Sequence, residues 1–480
     1  MQNKFRKADG TFDYGAVEEL NANNENGSIM VMTKAKNYHN WYGLVSTYNT
    51  KLTKDIDFYG GVDFRFYKGT HTNDIVDLYG GKYFIDSTRK SVKPENNANA
   101  ANQSWVYQKL GVGDAVYRDY DGHVVQEGAF FQAEYSKNGL SSFLSGSLSN
   151  TSYWRYDRLY YDKKNAESET KNYLGFTVKG GANYNFNEHH NAFFNVGYIS
   201  RAPKFNYGAF LSFASSNVTN PDAKNEKVVS FELGYGYRLK WLQVDVNAYW
   251  TKWLDKTMAK SSTVGTAQVD AFVNMTGVNA LHKGIEIEAK ASPLYWLDVN
   301  AMFSIGDWKW DSNAKGYVFD YNGQPLTKDG SIASGIGAED HLSTGINLKG
   351  IHVGGAAQTT AALGATIKIG KEIRIGADWT LYARNYAYYS ISGSNLSLGK
   401  TNTVADPWRV PTASQFDLNA SYKFKIAGLN ATISGNVNNL FDYQYLGKVW
   451  NPSSGTATKD NIYGFYAFGR TFSTRLKINF

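Results

Sequence analysis

The sequence predicts an all-β fold, a transmembrane antiparallel β-barrel wall. Three observations carry that expectation: strict apolar–polar alternation, connections that alternate between short and long, and prolines confined to the connections. The alternation is clearest in "LNATISGNVNN", where Leu429, Ala431, Ile433, Gly435 and Val437 share one face. Asn430, Thr432, Ser434, Asn436 and Asn438 share the other, and a period of two is that of a β-strand. The polar faces of other segments carry charges in mid-strand, such as Asp245, Glu286, Glu288 and Asp378. A dry core cannot hold unpaired charges cheaply, whereas a hydrated lumen can. The apolar faces therefore belong against lipid.

Fifteen strands are expected, at 40–51, 55–67, 124–136, 140–155, 171–185, 190–200, 227–239, 241–253, 281–291, 294–306, 354–369, 372–386, 413–424, 428–439 and 464–480. Within 241–250, Trp241, Val244, Val246, Ala248 and Trp250 nearly share a phase. Short turns are expected near Thr53, Lys137, Asn187, Lys240, Pro293, Gly370 and Ala427, with long connections at 68–123, 156–170, 201–226, 254–280, 307–353, 387–412 and 443–463. Short turns at one end and long loops at the other are the pattern of bacterial outer-membrane barrels, periplasmic and extracellular respectively. Of the 8 prolines, Pro293 falls in a short turn and the others in long loops, so none interrupts a hydrogen-bond ladder. Aromatic pairs near strand ends ("FFQAEY", "NAFFNVGY", "NAYWTKW") fit an interfacial girdle. In the last strand Phe468, Phe472, Leu476, Ile478 and Phe480 share a face. Arg470 shares that phase and belongs at the extracellular rim, because Arg at mid-membrane would cost ~2–4 kcal/mol.

Composition agrees. The 480 residues hold 35 Tyr, 27 Phe and 46 Gly, a β-rich mixture, and the absence of Cys excludes disulfides and thiolate chemistry. The net charge is +7, but Lys and Arg are dispersed, which argues against a nucleic-acid partner. No run approaches the ~18 apolar residues of a membrane helix, and "MQNKFRKADGTFDYG" lacks the apolar core of a signal peptide.

Four segments then resemble TonB-dependent outer-membrane receptors. These are "NVNNLFDYQYL" with its long loop and closing strand, "HKGIEIEAKASPLYWLDVNAMFSIGDW", "SRAPKFNYGAFL" and "NPDAKNEKVVSFELGYGYR", and their wording resembles receptors of the Bacteroidota. The resemblance runs from about Trp41 to Phe480. It implies a 22-stranded barrel around an N-terminal plug, of which about 15 strands are present. On that count residues 1–39 are an extracellular loop remnant and 40–480 a partial barrel, without the plug, the TonB-contacting box or the first seven strands. The implied function is TonB-dependent uptake of a scarce nutrient: a siderophore, a haem-like chelate, a corrinoid or an oligosaccharide. The implied partners are outer-membrane lipid, the TonB complex through the plug, and a surface lipoprotein. The isolated chain is not expected to transport. A passive porin-type channel, or a surface binding protein without transport, shares the same strand pattern.

No catalytic constellation or resident cofactor is apparent, so an enzyme is not expected. "HH" at 189–190 reads as a solvated turn and "RDYDGH" (118–123) as an Asp-Gly turn. "DSNAKGYVFDYN" (311–322) has a calcium-loop rhythm but places Asn322 where a bidentate Glu is needed. Ligand contact is expected from Arg201, Tyr207, Trp308, Trp310, Arg384, Tyr386 and Trp408, which combine aromatic faces with guanidinium donors suited to sugars, chelates or anions.

Overall fold

The computed structural model describes residues 5–211, 217–320, 322–389, 396–452 and 456–479. Its strands begin with β1 (Met32–Thr53), β2 (Ile56–Asp77), β3 (Ala115–Lys137), β4 (Leu140–Asp157), β5 (Lys171–Asn185), β6 (His190–Arg201) and β7 (Glu226–Arg238). Next come β8 (Leu242–Val264), β9 (Val269–Leu294), β10 (Leu297–Trp310), β11 (Ala314–Asp320), β12 (Ser343–Asn347), β13 (Ala357–Ile369) and β14 (Ile373–Tyr386). The last are β15 (Thr401–Thr403), β16 (Arg409–Val410), β17 (Ala413–Ile426), β18 (Leu429–Asn438), β19 (Leu446–Trp450), β20 (Tyr463–Tyr466) and β21 (Thr471–Asn479).

Fifteen of these form one antiparallel meander, β1 to β10 followed by β13, β14, β17, β18 and β21. They are the fifteen strands expected from the alternation. Among the described residues β1 pairs only with β2, and β21 only with β18, so two edges of this wall lack a partner strand. Unpaired ladders are adhesive in water and costly in lipid.

The register turns alternation into continuous bands. On one face Leu148 meets Phe176, Val196 meets Phe231, Ile287 meets Phe303, and Tyr422 meets Ile433, which in turn meets Leu476. These side chains are largely exposed, Leu148 at 53% and Ile433 at 42%. On the other face, Asp245 lies opposite Glu288 and Asp378 opposite Asp417. Like charges directly across a ladder are destabilising unless water or donors reach them. Arg238 Nη2 donates to Asp245 at 2.6 Å, and Asn419 donates to Asp378 at 3.0 Å. Turn chemistry closes the short end: Asn138 and Gly139 both have positive φ (52° and 81°), as an Asn-Gly hairpin turn requires.

Several bounds differ from expectation, and in β1 and β2 the hydrophobic period stops before the ladder does. β1 starts at Met32 rather than at 40, and β2 runs on through polar "HTNDIVD" to Asp77. The expected long connection at 254–280 is mostly strand, leaving only residues 265–268 as a turn. Part of the expected N-terminal loop forms helix α1 (Tyr14–Ala22), capped by Asp13. It is tied down by Asn21, whose amide donates to Met30 O at 2.7 Å and Leu78 O at 3.0 Å. Pro293 sits inside β9, where the pairing with β10 slips, a bulge that tolerates a residue without N–H. Trp241 lies outside β8, before its first residue. The last expected strand splits: β20 pairs with β19, Phe468 is in neither strand, and β21 keeps the row Phe472, Leu476 and Ile478. Phe480 lies outside the described residues. Arg470 precedes β21 at the loop end, where its N–H donates to Asp442 Oδ1 at 2.7 Å and its Nη1 to Leu440 O at 3.3 Å.

Candidate functional site

Above the wall the long loops build a lobe with an ordinary dry core. The β8–β9 hairpin projects beyond its neighbours, β11 pairs with β9, and β12 pairs with β11. Val273, Met275, Val278, Val318, Ile346 and Leu348 are all 0% exposed there. Other loops latch onto the lobe through buried amides. Asn274 Nδ2 donates to Asn220 Oδ1 at 2.8 Å, and Asn217 Nδ2 donates to Ala166 O at 2.7 Å. A cavity of about 410 Å³ lies between three loops and the start of β9, bordered by Thr88, Lys90, Asn96, Tyr160, Asp270 and Asn322. The residues of the calcium-like rhythm do not converge: 314–320 is strand, Asp311 pairs with Lys252 at 2.6 Å, and Asp320 caps its own turn. "RDYDGH" is no turn but part of β3. Burial alone would push the Asp121 carboxyl up, but hydrogen bonds from Arg158, Lys68 and Thr70 outweigh it and hold it well below the usual range.

Below the lobe, the polar face of the wall brings several candidate residues together. Tyr249, Thr251 and Trp253 on β8 share a row with His282 on β9 and Trp308 on β10. Trp308 Nε1 donates to the Tyr249 hydroxyl at 2.8 Å across the intervening strand. Gly284 and Gly306 make that crossing possible, since a Cβ at 284 would stand 2.6 Å from the Tyr249 hydroxyl and one at 306 would stand 2.5 Å from Trp308 Nε1. Gln358 brackets the Trp308 backbone, accepting from its N–H and donating to its carbonyl, both at 3.0 Å. Arg384, at φ 50°, donates from Nη1 to Gly306 O at 2.9 Å. Tyr386 stacks on His352 at 4.1 Å, and His352 is held by Asp406 at 2.6 Å. Arg201 donates from Nη2 to the buried Glu226 at 2.7 Å and lies 5.4 Å from the centre of the Trp253 ring.

Three candidates sit apart from that row. Trp310 is packed in the lobe core at 8% exposure, so it supports the lobe rather than facing the mouth. Trp408 packs beside Ala387, Val410 and Val449, and its N–H donates to Asn451 Oδ1 at 3.0 Å. Tyr207 stands in the loop after β6 at φ 60°, and burial pushes its phenol up.

The family model described as TonB dependent receptor-like, beta-barrel matches residues 2–440. The chain belongs to the TonB-dependent receptor β-barrel family. Solved structures agree on the fold. The copper transporter OprC is 14% identical with a TM-score of 0.58, over 92% of this chain and 57% of its own. The siderophore receptor PiuA from Acinetobacter baumannii is 14% identical with a TM-score of 0.56, over 92% and 56%. The ferric citrate transporter FecA, unliganded, is 12% identical with a TM-score of 0.56, over 93% and 55%. The chain thus spans little more than half the length of these proteins. No curated protein sequence matches it. Members of this family are outer-membrane proteins that act as receptors and transporters.

Trp253, Lys256, His282, Tyr249 and Gln358 of this receptor barrel were not among the residues expected at the site. The signal for Trp253 was present: it stands three residues after Trp250, and an odd spacing in a strand reverses the face. Trp250 points out with Val246 and Ala248, while Trp253 points in. The other four gain meaning only from register.

Proposed function

We propose that this chain is the ligand-admitting wall and loop lobe of an outer-membrane receptor in a Gram-negative bacterium, serving TonB-dependent uptake of a scarce nutrient. The observation that supports the reading most is the pairing of a polar face, charged in several staves, with an apolar one, topped by interlocked loops. Lipid suits the apolar face, and a hydrated lumen suits carboxylates such as Asp378 and Asp417. A siderophore, a haem-like chelate, a corrinoid or an oligosaccharide would enter between the loops and meet Arg201, Trp308, Arg384 and Tyr386. Energy would arrive through TonB and a plug, and no catalytic step is needed. The two unpaired edges fit a wall completed by further strands of the same receptor.

The test is uptake in cells. A strain lacking the gene should lose energised uptake of one nutrient class, and removal of TonB should abolish the uptake restored by complementation. Uptake that persists without TonB would instead favour a passive channel. Binding at the surface without uptake would favour a receptor that does not transport.

A further inference from the structure

Lys256 on β8 is half-buried, and its ammonium lies over the Trp253 ring, 5.0 Å from Nζ to the ring centre. Among the described residues no carboxylate or carbonyl accepts from its ammonium. The Arg201 guanidinium lies against the same ring at 5.4 Å. Glu226 is the acid in this group, and Arg201 already holds it through Nε at 3.2 Å and Nη2 at 2.7 Å. The neighbouring acid Asp255 is committed to Lys227 at 2.7 Å. Burial pushes the Lys256 amine below its ordinary value; Glu226 opposes that, and the charges of Lys204 and Arg201 add to it. Three cations thus face one satisfied carboxylate where β6, β7 and β8 meet the loop lobe. Half of the Arg201 side chain remains exposed, and no described residue accepts from its Nη1. A half-buried ammonium without an acceptor is expensive unless an anion supplies one.

We propose that Arg201 and Lys256, held by Trp253, form an anion site at the mouth of the receptor. Its ligand carries at least two negative oxygens, as carboxylate or phosphate. This rests on the uptake reading above and narrows its cargo to an anionic compound or chelate. Guanidinium and ammonium donors grip such oxygens with charge-assisted hydrogen bonds, whereas a neutral sugar would leave the Lys256 charge uncompensated.

Pyrophosphate, titrated calorimetrically into the full chain in detergent, tests this. The wild-type chain should bind it, and raffinose, which is neutral, should give no heat. K256M and R201Q should each weaken binding about tenfold, the loss of one charge-assisted contact. K256R should restore it, which separates charge from fold. K309M, on the opposite face of the wall, should change nothing. Equal affinity in wild type, K256M and R201Q overturns the proposal, as does absence of binding in a wild-type chain with intact strand circular dichroism. Uptake is scored separately. TonB-dependent uptake with pyrophosphate affinity indifferent to both residues refutes the anion site alone. The expected binding pattern without energised uptake refutes the transport reading alone.

Discussion

The wall and the loop lobe use the same hydrophobic residues in opposite ways. In the wall, Leu44, Leu148, Leu233 and Ile433 are between 42% and 66% exposed. In the lobe, Val273, Met275, Val318 and Ile346 are fully buried. Both are built mainly of antiparallel strands, and β8 and β9 take part in each. The wall's apolar side chains need lipid as their solvent, while the lobe closes its own core in water. Local pattern therefore says where apolar side chains point, and the neighbours decide what they meet.

The largest expected effect breaks the lobe and spares the wall. Met275→Ala removes a fully buried side chain and should cost the lobe about 2–5 kcal/mol. Hydrogen exchange should quicken in 271–280 and 314–320 while β13, β14, β17 and β18 stay protected; equal loosening of both would erase the distinction. Next, Ile287→Arg places a charge in the middle of the apolar band of β9 and should cost ~2–4 kcal/mol in a bilayer. Urea titration in vesicles measures that cost, and a negligible value would mean that this face does not meet lipid.

A smaller effect concerns the strap between β3 and the loop after β4, where Arg158 and Lys68 hold Asp121 at 2.8 and 2.9 Å. The folded carboxyl titrates below the unfolded one, so the strap is complete above the unfolded value of about 4 and is lost as pH falls through the lower folded value. Asp121→Asn should lower the exchange protection of residues 158–166 at neutral pH, and in the wild type that protection should persist as pH falls through the ordinary carboxylate range. The smallest effect is Tyr249→Phe, which removes one hydrogen bond to Trp308 and should cost about 0.5–1.5 kcal/mol. Indole fluorescence should report a more mobile Trp308, with the wall otherwise intact.

Residues such as Ile433 and Asp378 made the wall legible in sequence, because a period of two separates lipid from water without reference to any neighbour. The short turn expected near Lys137 is likewise present, formed by Asn138 and Gly139. Arg201, Trp308 and Arg384 were recognisable as chemistry suited to a ligand. Their company was not: Trp308 meets Tyr249 only because Gly284 on the strand between them and Gly306 on its own strand leave the space clear, and Trp310, two residues on, is drawn into the lobe core. The extensions of β1, β2 and β8 carry no apolar row to mark them, because ladder bonds are made by backbone, whereas β9 continues its row through Val269, Ala271, Val273 and Met275 and only the lobe shows what that row meets. By itself, then, the sequence determined the β class, the fifteen staves, their two faces and the end that bears the long loops. Tertiary structure decided what stands across from what. Strand register and loop packing brought Arg201, Trp253 and Lys256 together, since cross-strand distance depends on pairing and not on separation along the chain.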